Sequence, residues 1–133
     1  MASRIQDLVQ EFGKKRKTVR FTIFPNGTGT PTWRSCGGVA SIVWTSTGLF
    51  TYTLQDGYFN LVGHDESIQL NAAAARYVQL GAVTNVGTAG AVVGGTVRVV
   101  DGSGTVQDIA ANANNSLHIA LHFEDSSAIS TDH

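Results

Sequence analysis

The chain is poor in the residues on which covalent and metal chemistry are built. Its single cysteine, Cys36, cannot close an internal disulfide or form a thiolate zinc site, and it is compatible with folding in a cytoplasm. Charged residues make up 14% of the chain, well below the roughly 25% usual in a soluble globular domain. A surface with so little charge is expected to be partly covered in the working state, by an oligomer or a larger assembly. The net charge of -1 excludes nucleic-acid binding through overall electrostatics. No apolar run approaches the length of a membrane span. No basic leader with an apolar stretch and a small-residue cleavage site opens the sequence, so export through a signal peptide and a membrane partner are not expected. Without such a leader, the acceptor-like triplets Asn26-Gly27-Thr28 and Asn114-Asn115-Ser116 are read as chance.

What is present is one domain's worth of chain, 133 residues at 42% hydrophobic, enough to bury a core without covalent staples. Ser3 and Gln6 have the spacing of a capping box. Ile5, Leu8, Val9 and Phe12 follow at helical intervals and Gly13 ends the run. The pattern predicts a short amphipathic helix, too short to persist alone in water and therefore in need of an apolar surface. Lys14, Lys15, Arg16 and Lys17 come next, holding four of the nine basic residues. They read as a solvated linker, with contact to an acidic partner or nucleic acid as the sharper alternative.

From Thr18 onward the pattern is β. Val19, Phe21 and Ile23 alternate with polar residues, and Pro25-Asn26-Gly27 opens a loop that reaches Thr32. Gly38 to Thr45 predicts a second strand. In the stretch from Thr45 to Gly63, Leu49, Phe50, Tyr52 and Leu54 lead to Gln55-Asp56-Gly57, and Tyr58, Phe59, Leu61 and Val62 follow. Strand, Asp-Gly turn, strand is the expectation, a hairpin at the centre of the fold. Leu49, Thr51 and Thr53 face one way and Phe50, Tyr52 and Leu54 the other, so one face should meet a second sheet and the other a neighbouring subunit.

His64-Asp65-Glu66 reads as a polar turn. Ser67 to Leu70 begins a strand expected to run through Ala72 to Ala75, and Arg76 to Leu80 continues the alternation. Gly81 to Gly95, glycine-rich and uncharged, predicts a tightly approached segment with an edge strand through Ala82 to Val86 and then a long loop. Thr96 to Val100 is a strand, Asp101 to Gly104 a turn, and Asp108 to Asn115 a polar connection. Leu117, Ile119, Leu121 and Phe123 give a closing strand. About eight strands with no helix between them predict an all-β, two-sheet antiparallel sandwich.

Chemistry finds little support. His118 and His122 have chelating spacing on a helix, but on a strand four residues separate the rings by roughly 13 Å. His64, Asp65 and Glu66 would diverge on a turn. No nucleophile elbow occurs, and the glycine run around Gly87 to Gly95 lacks the lysine and following helix of a phosphate loop. Trp33, Trp44, Phe50, Tyr52, Tyr58 and Phe59 at alternating strand positions fit core and subunit packing better than a carbohydrate platform. No enzyme, cofactor or metal is expected.

The run Thr47-Gly48-Leu49-Phe50-Thr51-Tyr52-Thr53-Leu54, with Asp56 and Tyr58, and the ending Leu117 to Ser127 resemble the small head decoration, or cement, proteins of tailed bacteriophages. The likeness covers Thr18 to Ala128. It implies a jelly roll that trimerises over capsomer junctions on the virion exterior, made in the host cytoplasm, with the major capsid protein as partner and no catalysis. Aromatic-rich hairpins of this kind also occur in C1q-type trimeric heads, so a receptor-binding or fibre-tip module is the alternative. On this reading residues 1–17 form an arm, 18–125 the sandwich and 126–133 a polar tail. Ile5, Leu8, Val9, Phe12, Lys14, Lys15, Arg16, Lys17, Phe50, Tyr52 and Tyr58 are the expected contacts with capsid or sister subunit. An arm folded back on its own sandwich is the competing account of residues 1–17.

Overall fold

A computed structural model describes residues 15–58, 61–86 and 91–125. Eight strands account for most of them: β1 Lys15–Phe24, β2 Thr32–Ser35, β3 Val39–Ser46, β4 Leu49–Tyr58, β5 Leu61–Gln69, β6 Arg76–Val86, β7 Ala91–Asp101 and β8 Ser116–Asp125. They form two antiparallel four-stranded sheets, ordered β2-β1-β8-β5 (sheet A) and β3-β4-β7-β6 (sheet B). The described residues contain no helix, and the predicted amphipathic helix lies outside them.

Alternation builds the core. Val19, Phe21 and Ile23 of β1 and Leu117, Ile119, Leu121 and Phe123 of β8 are buried against Ile42, Phe50, Tyr52, Leu54, Val97 and Val99 of the opposite sheet. The two layers interdigitate through rings: Phe21 and Tyr52 lie 5.2 Å apart, and Tyr58 stacks on Phe123 at 4.9 Å. The two pairs β1–β8 and β4–β7 are nested in sequence, each the central pair of its sheet. Distant parts of the chain must therefore meet before either sheet is complete.

The central hairpin is not where the Asp-Gly signal places it. β4 runs on through Gln55-Asp56-Gly57, and β4 and β5 belong to different sheets. Gly57 does not take the left-handed conformation. The β4–β7 register shows the reason: between Thr53↔Gly94 and Tyr58↔Val92, four residues of β4 oppose one of β7. The segment is a large bulge, anchored where the Gln55 amide donates to the Gly38 carbonyl at 2.8 Å. The tight turn is Thr47-Gly48, which joins β3 to β4 with Ser46 opposite Leu49. Gly48 has φ +64, and a Cβ there would lie 2.7 to 2.8 Å from backbone atoms of Gln107 and Val99, so this position takes no other residue without strain.

Other expectations are corrected by the same logic of pairing. His64-Asp65-Glu66 is no turn but the middle of β5, held in register against β8. Ala72 to Ala75 are an exposed connection between sheets, with no strand partner. Residues 91–95 are no loop: they begin β7, a central strand. The expectation of close approach does hold there, because a Cβ on Gly94 would lie 2.5 Å from the Tyr52 carbonyl oxygen and one on Gly95 2.6 Å from the Tyr52 hydroxyl. One strand starts earlier than its pattern predicts, and one arises where no strand is expected. β1 begins at Lys15, opposite Asp125, three residues before the boundary read from sequence, and Thr32–Ser35 forms a short edge strand in place of the end of a loop.

Candidate interaction surfaces

Because both sheets bury one face in the common core, each presents a second face outward, and the two faces differ in chemistry. On sheet B, register aligns three outward rows: Leu49, Arg98 and Gln79; Val43, Thr51 and Thr96; and Ser41, Thr53, Gly94 and Thr84. Arg98 is the one charged residue in these rows, and its Nε donates to Gln79 Oε1 at 2.8 Å. Val43 is 47% exposed, and Tyr77, further along β6, is 54% exposed. Threonine dominates because a branched side chain with a hydroxyl suits a pleated face and adds no charge.

On sheet A the rows are ionisable. Arg34, Thr22, His118 and Ser67 form one, and Arg20, Ala120 and Asp65 the next. The hydroxyls of Thr22 and Thr18 lie 3.3 and 3.2 Å from Nδ1 of His118 and His122, and the two Nε2 atoms lie 2.9 Å from Ser116 Oγ and Asp65 Oδ2. The two histidines thus have separate partners. No group of three or more His, Cys, Asp or Glu among the described residues is arranged to hold a metal ion.

At the open edge between β5 and β6, Glu66 turns inward. Its Oε1 accepts from the Leu80 amide at 3.1 Å and lies 2.6 Å from His64 Nδ1, so one carboxylate joins the edge of sheet A to the edge of sheet B. The Tyr52 hydroxyl is buried nearby without a hydrogen-bond partner among the described residues. Burial, and then the negative charge of Glu66, push its pKa up to about 12.

At one end of the sandwich a strap crosses the Thr47-Gly48 turn. Asp108 Oδ1 accepts from Trp44 Nε1 at 2.9 Å and from the Gly48 amide at 2.8 Å. Asp101 organises the preceding turn by accepting from the amides of Thr105 and Ser103, the Ser103 hydroxyl and Gln107 Nε2. Those backbone donors, Thr105 first, hold its carboxyl below its usual value.

Of the contacts expected from sequence, Ile5, Leu8, Val9, Phe12 and Lys14 lie outside the described residues. Lys15, Arg16 and Lys17 belong to β1, and Lys17 is exposed there. Phe50 and Tyr52 are each 1% exposed and Tyr58 is half-buried. Phe50 and Tyr52 therefore serve the core and offer no surface. The face that β4 presents outward is the other one, with Leu49, Thr51 and Thr53. The signal for it was the alternating threonine, outweighed by the aromatic residues between. Arg20, Arg34 and Ser67 gave no sequence signal, since only pairing across strands places them together.

No protein-family model matches this sequence, and neither a curated protein nor a solved structure shows significant similarity to it. Among the described residues no helix is long and apolar enough to cross a membrane.

Proposed function

We propose that this chain is a capsid decoration protein of a tailed bacteriophage: a jelly-roll subunit that assembles as a trimer, binds the major capsid protein at capsomer junctions on the outside of the head, and stabilises the shell. The observation that carries the reading is the outer face of sheet B. Covering it desolvates one charge, Arg98, while removing Val43, Leu49 and a field of threonines from water. Protein interfaces favour such surfaces because charge is depleted at their centres. The nested pairs β1–β8 and β4–β7 support the jelly-roll assignment.

Size bounds the mode of attachment. Four strands spaced about 4.8 Å apart, each with roughly eight usable residues at 3.3 Å, offer on the order of 500 Å² of sheet. A stable interface needs about 800 Å² from each partner. The face is therefore part of the contact, and the apolar positions Ile5, Leu8, Val9 and Phe12 with Lys14 are assigned the remainder, as a docking arm that ends where β1 begins at Lys15.

The test is attachment of the purified chain to shells assembled from the major capsid protein of the same phage, counted as copies per particle. Thr51→Lys places a charge in the middle of the face without disturbing the core. It should reduce occupancy at least ten-fold while the free protein melts normally, and light scattering of the free protein should give a trimer mass. Full occupancy by the Thr51→Lys protein would refute the sheet B contact, and absence of binding by the unmodified chain would refute the capsid reading.

A further inference from the structure

The outer face of sheet A is concave as well as polar. Arg20 on β1 and Arg34 on β2 stand at one side of a trough of about 440 Å³, within the roughly 300–1,000 Å³ span of small-ligand sites. Arg34 lies opposite Thr22, one outward position along from Arg20, so the two arginines are diagonal cross-strand neighbours, about 7 to 8 Å apart at their Cα atoms. Ala120 lies opposite Arg20 and Asp65 opposite Ala120. The alanine keeps the floor low and leaves Arg20 and Asp65 two strand spacings apart, about 10 Å.

The charges do not cancel across that gap. Asp65 is engaged by His122 at 2.9 Å and Glu66 by His64 at 2.6 Å, and among the described residues neither Arg20 nor Arg34 forms a salt bridge with a carboxylate. The Arg34 guanidinium instead rests over the Phe24 ring, 5.2 Å from its centroid, which steadies it at the rim. Two planar cations at diagonal positions suit one carboxylate. The far side of the trough carries Ser67 and Asp65, a hydroxyl and an acceptor suited to ligand hydroxyls. The same Asp65 carboxylate opposes a second negative charge, which disfavours phosphate.

We propose that this trough binds an acidic sugar, with its carboxylate on Arg20 and Arg34 and its ring hydroxyls against Ser67 and Asp65. The proposal does not depend on the capsid reading, since the trough lies on the face of the sandwich opposite to sheet B.

The experiment is a titration of the full-length ¹⁵N-labelled chain with tri-galacturonate at low salt, with maltotriose, inorganic phosphate and tri-glutamate as comparators. Saturable amide shifts at Arg20, Ser67 and Ala120 are expected with tri-galacturonate, weakening as salt is added. Arg20→Ala and Arg34→Ala should each weaken binding at least ten-fold, Arg20→Lys should fall between, and Arg98→Ala on the opposite face should change nothing. Maltotriose should bind at least ten-fold more weakly. The proposal is overturned if tri-galacturonate gives no saturable shift, if Arg20→Ala binds as well as the unmodified chain, or if maltotriose matches it. Tri-glutamate or phosphate binding as tightly as the sugar would also overturn it, because the site would then read charge alone. Both arginines are exposed strand residues, so the variants are expected to fold, and an unchanged melting temperature establishes that for each.

Discussion

Removing the Asp108 carboxylate should loosen the end of the sandwich where β3 turns into β4. One oxygen, Oδ1, accepts from the Trp44 indole at 2.9 Å and from the Gly48 amide at 2.8 Å. Beside it the Gly48 carbonyl accepts from the Val99 amide at 2.8 Å, and the Gln107 amide donates to the Val99 carbonyl at 2.9 Å. The strap, the turn and β7 are thereby one unit. Asp108→Ala leaves two donors without an acceptor, each worth about 1–3 kcal/mol when buried. The site is only part-buried, so water recovers some of this, and a net loss of about 2–4 kcal/mol is expected. Asp108→Asn keeps a carbonyl oxygen in place and gives up only the charge assistance, about 1 kcal/mol. At about 3–6 °C per kcal/mol for a chain of this size, the alanine protein should melt on the order of 10 °C lower and the asparagine protein a few degrees lower. Urea unfolding followed by tryptophan fluorescence measures the difference directly. Equal destabilisation by the two substitutions, or less than about 1 kcal/mol for alanine, would show that the strap is held by something other than this oxygen.

Further outcomes follow from three residues inside and around the core, Tyr52, Asp101 and Glu66. Tyr52→Phe should be neutral or stabilise by about 1 kcal/mol, because it removes a buried hydroxyl with no partner among the described residues; a loss above 1 kcal/mol in chemical denaturation would contradict this. The raised pKa of Tyr52 gives a stability term that is complete below about pH 10 and lost as pH rises through about 12, so alkaline melting curves should fall more steeply for the unmodified chain than for Tyr52→Phe. Asp101 has the opposite sign: its depressed carboxyl contributes above the usual 3.8 and that contribution disappears as acid takes the pH through the lower folded value, so the advantage over Asp101→Asn should close below about pH 4. Glu66→Ala should accelerate hydrogen exchange at the Leu80 amide, which loses its acceptor, and Glu66→Gln should largely restore protection.

The strands were legible where alternation was backed by a buried face. In β8, Leu117, Ile119, Leu121 and Phe123 all turn inward as their spacing predicts, and β1 follows the same pattern. Turns were harder, because a short motif reports a permitted conformation and not a topology. Asp56-Gly57 could have reversed the chain, yet β7 pairs with β4 on both sides of it and converts the extra residues into a bulge. Thr47-Gly48 carries the reversal because Gly48 alone fits beneath the strap. The alanines at 72 to 75 had no partner to make them strand, and the glycines at 94 and 95 had one on each side. The candidate surfaces were the least legible part. The aromatic residues Phe50 and Tyr52 carry the apolar area that the core needs, while the outward threonines and the Arg20–Arg34 pair acquire meaning only from cross-strand register.

On the proposed capsid reading, the contrast between the two outer faces also sets which face meets the shell. A face of threonines with one arginine loses little when covered, whereas covering sheet A would strip water from Arg20, Arg34, Asp65 and two histidines, with ionised groups costing several kcal/mol each unless a partner matched them. A subunit seated on a shell therefore does best with sheet B inward and sheet A towards the medium. In that orientation the trough between Arg20 and Asp65 is presented to whatever surrounds the particle, and its charge adds solubility to an otherwise charge-poor chain. The two surfaces are then independent. Thr51→Lys should release the subunit from the shell and leave tri-galacturonate binding intact, and Arg20→Ala should abolish the sugar contact on a fully occupied shell. Loss of both activities through either substitution alone would mean that the two faces share one binding event, and the orientation would have to be abandoned.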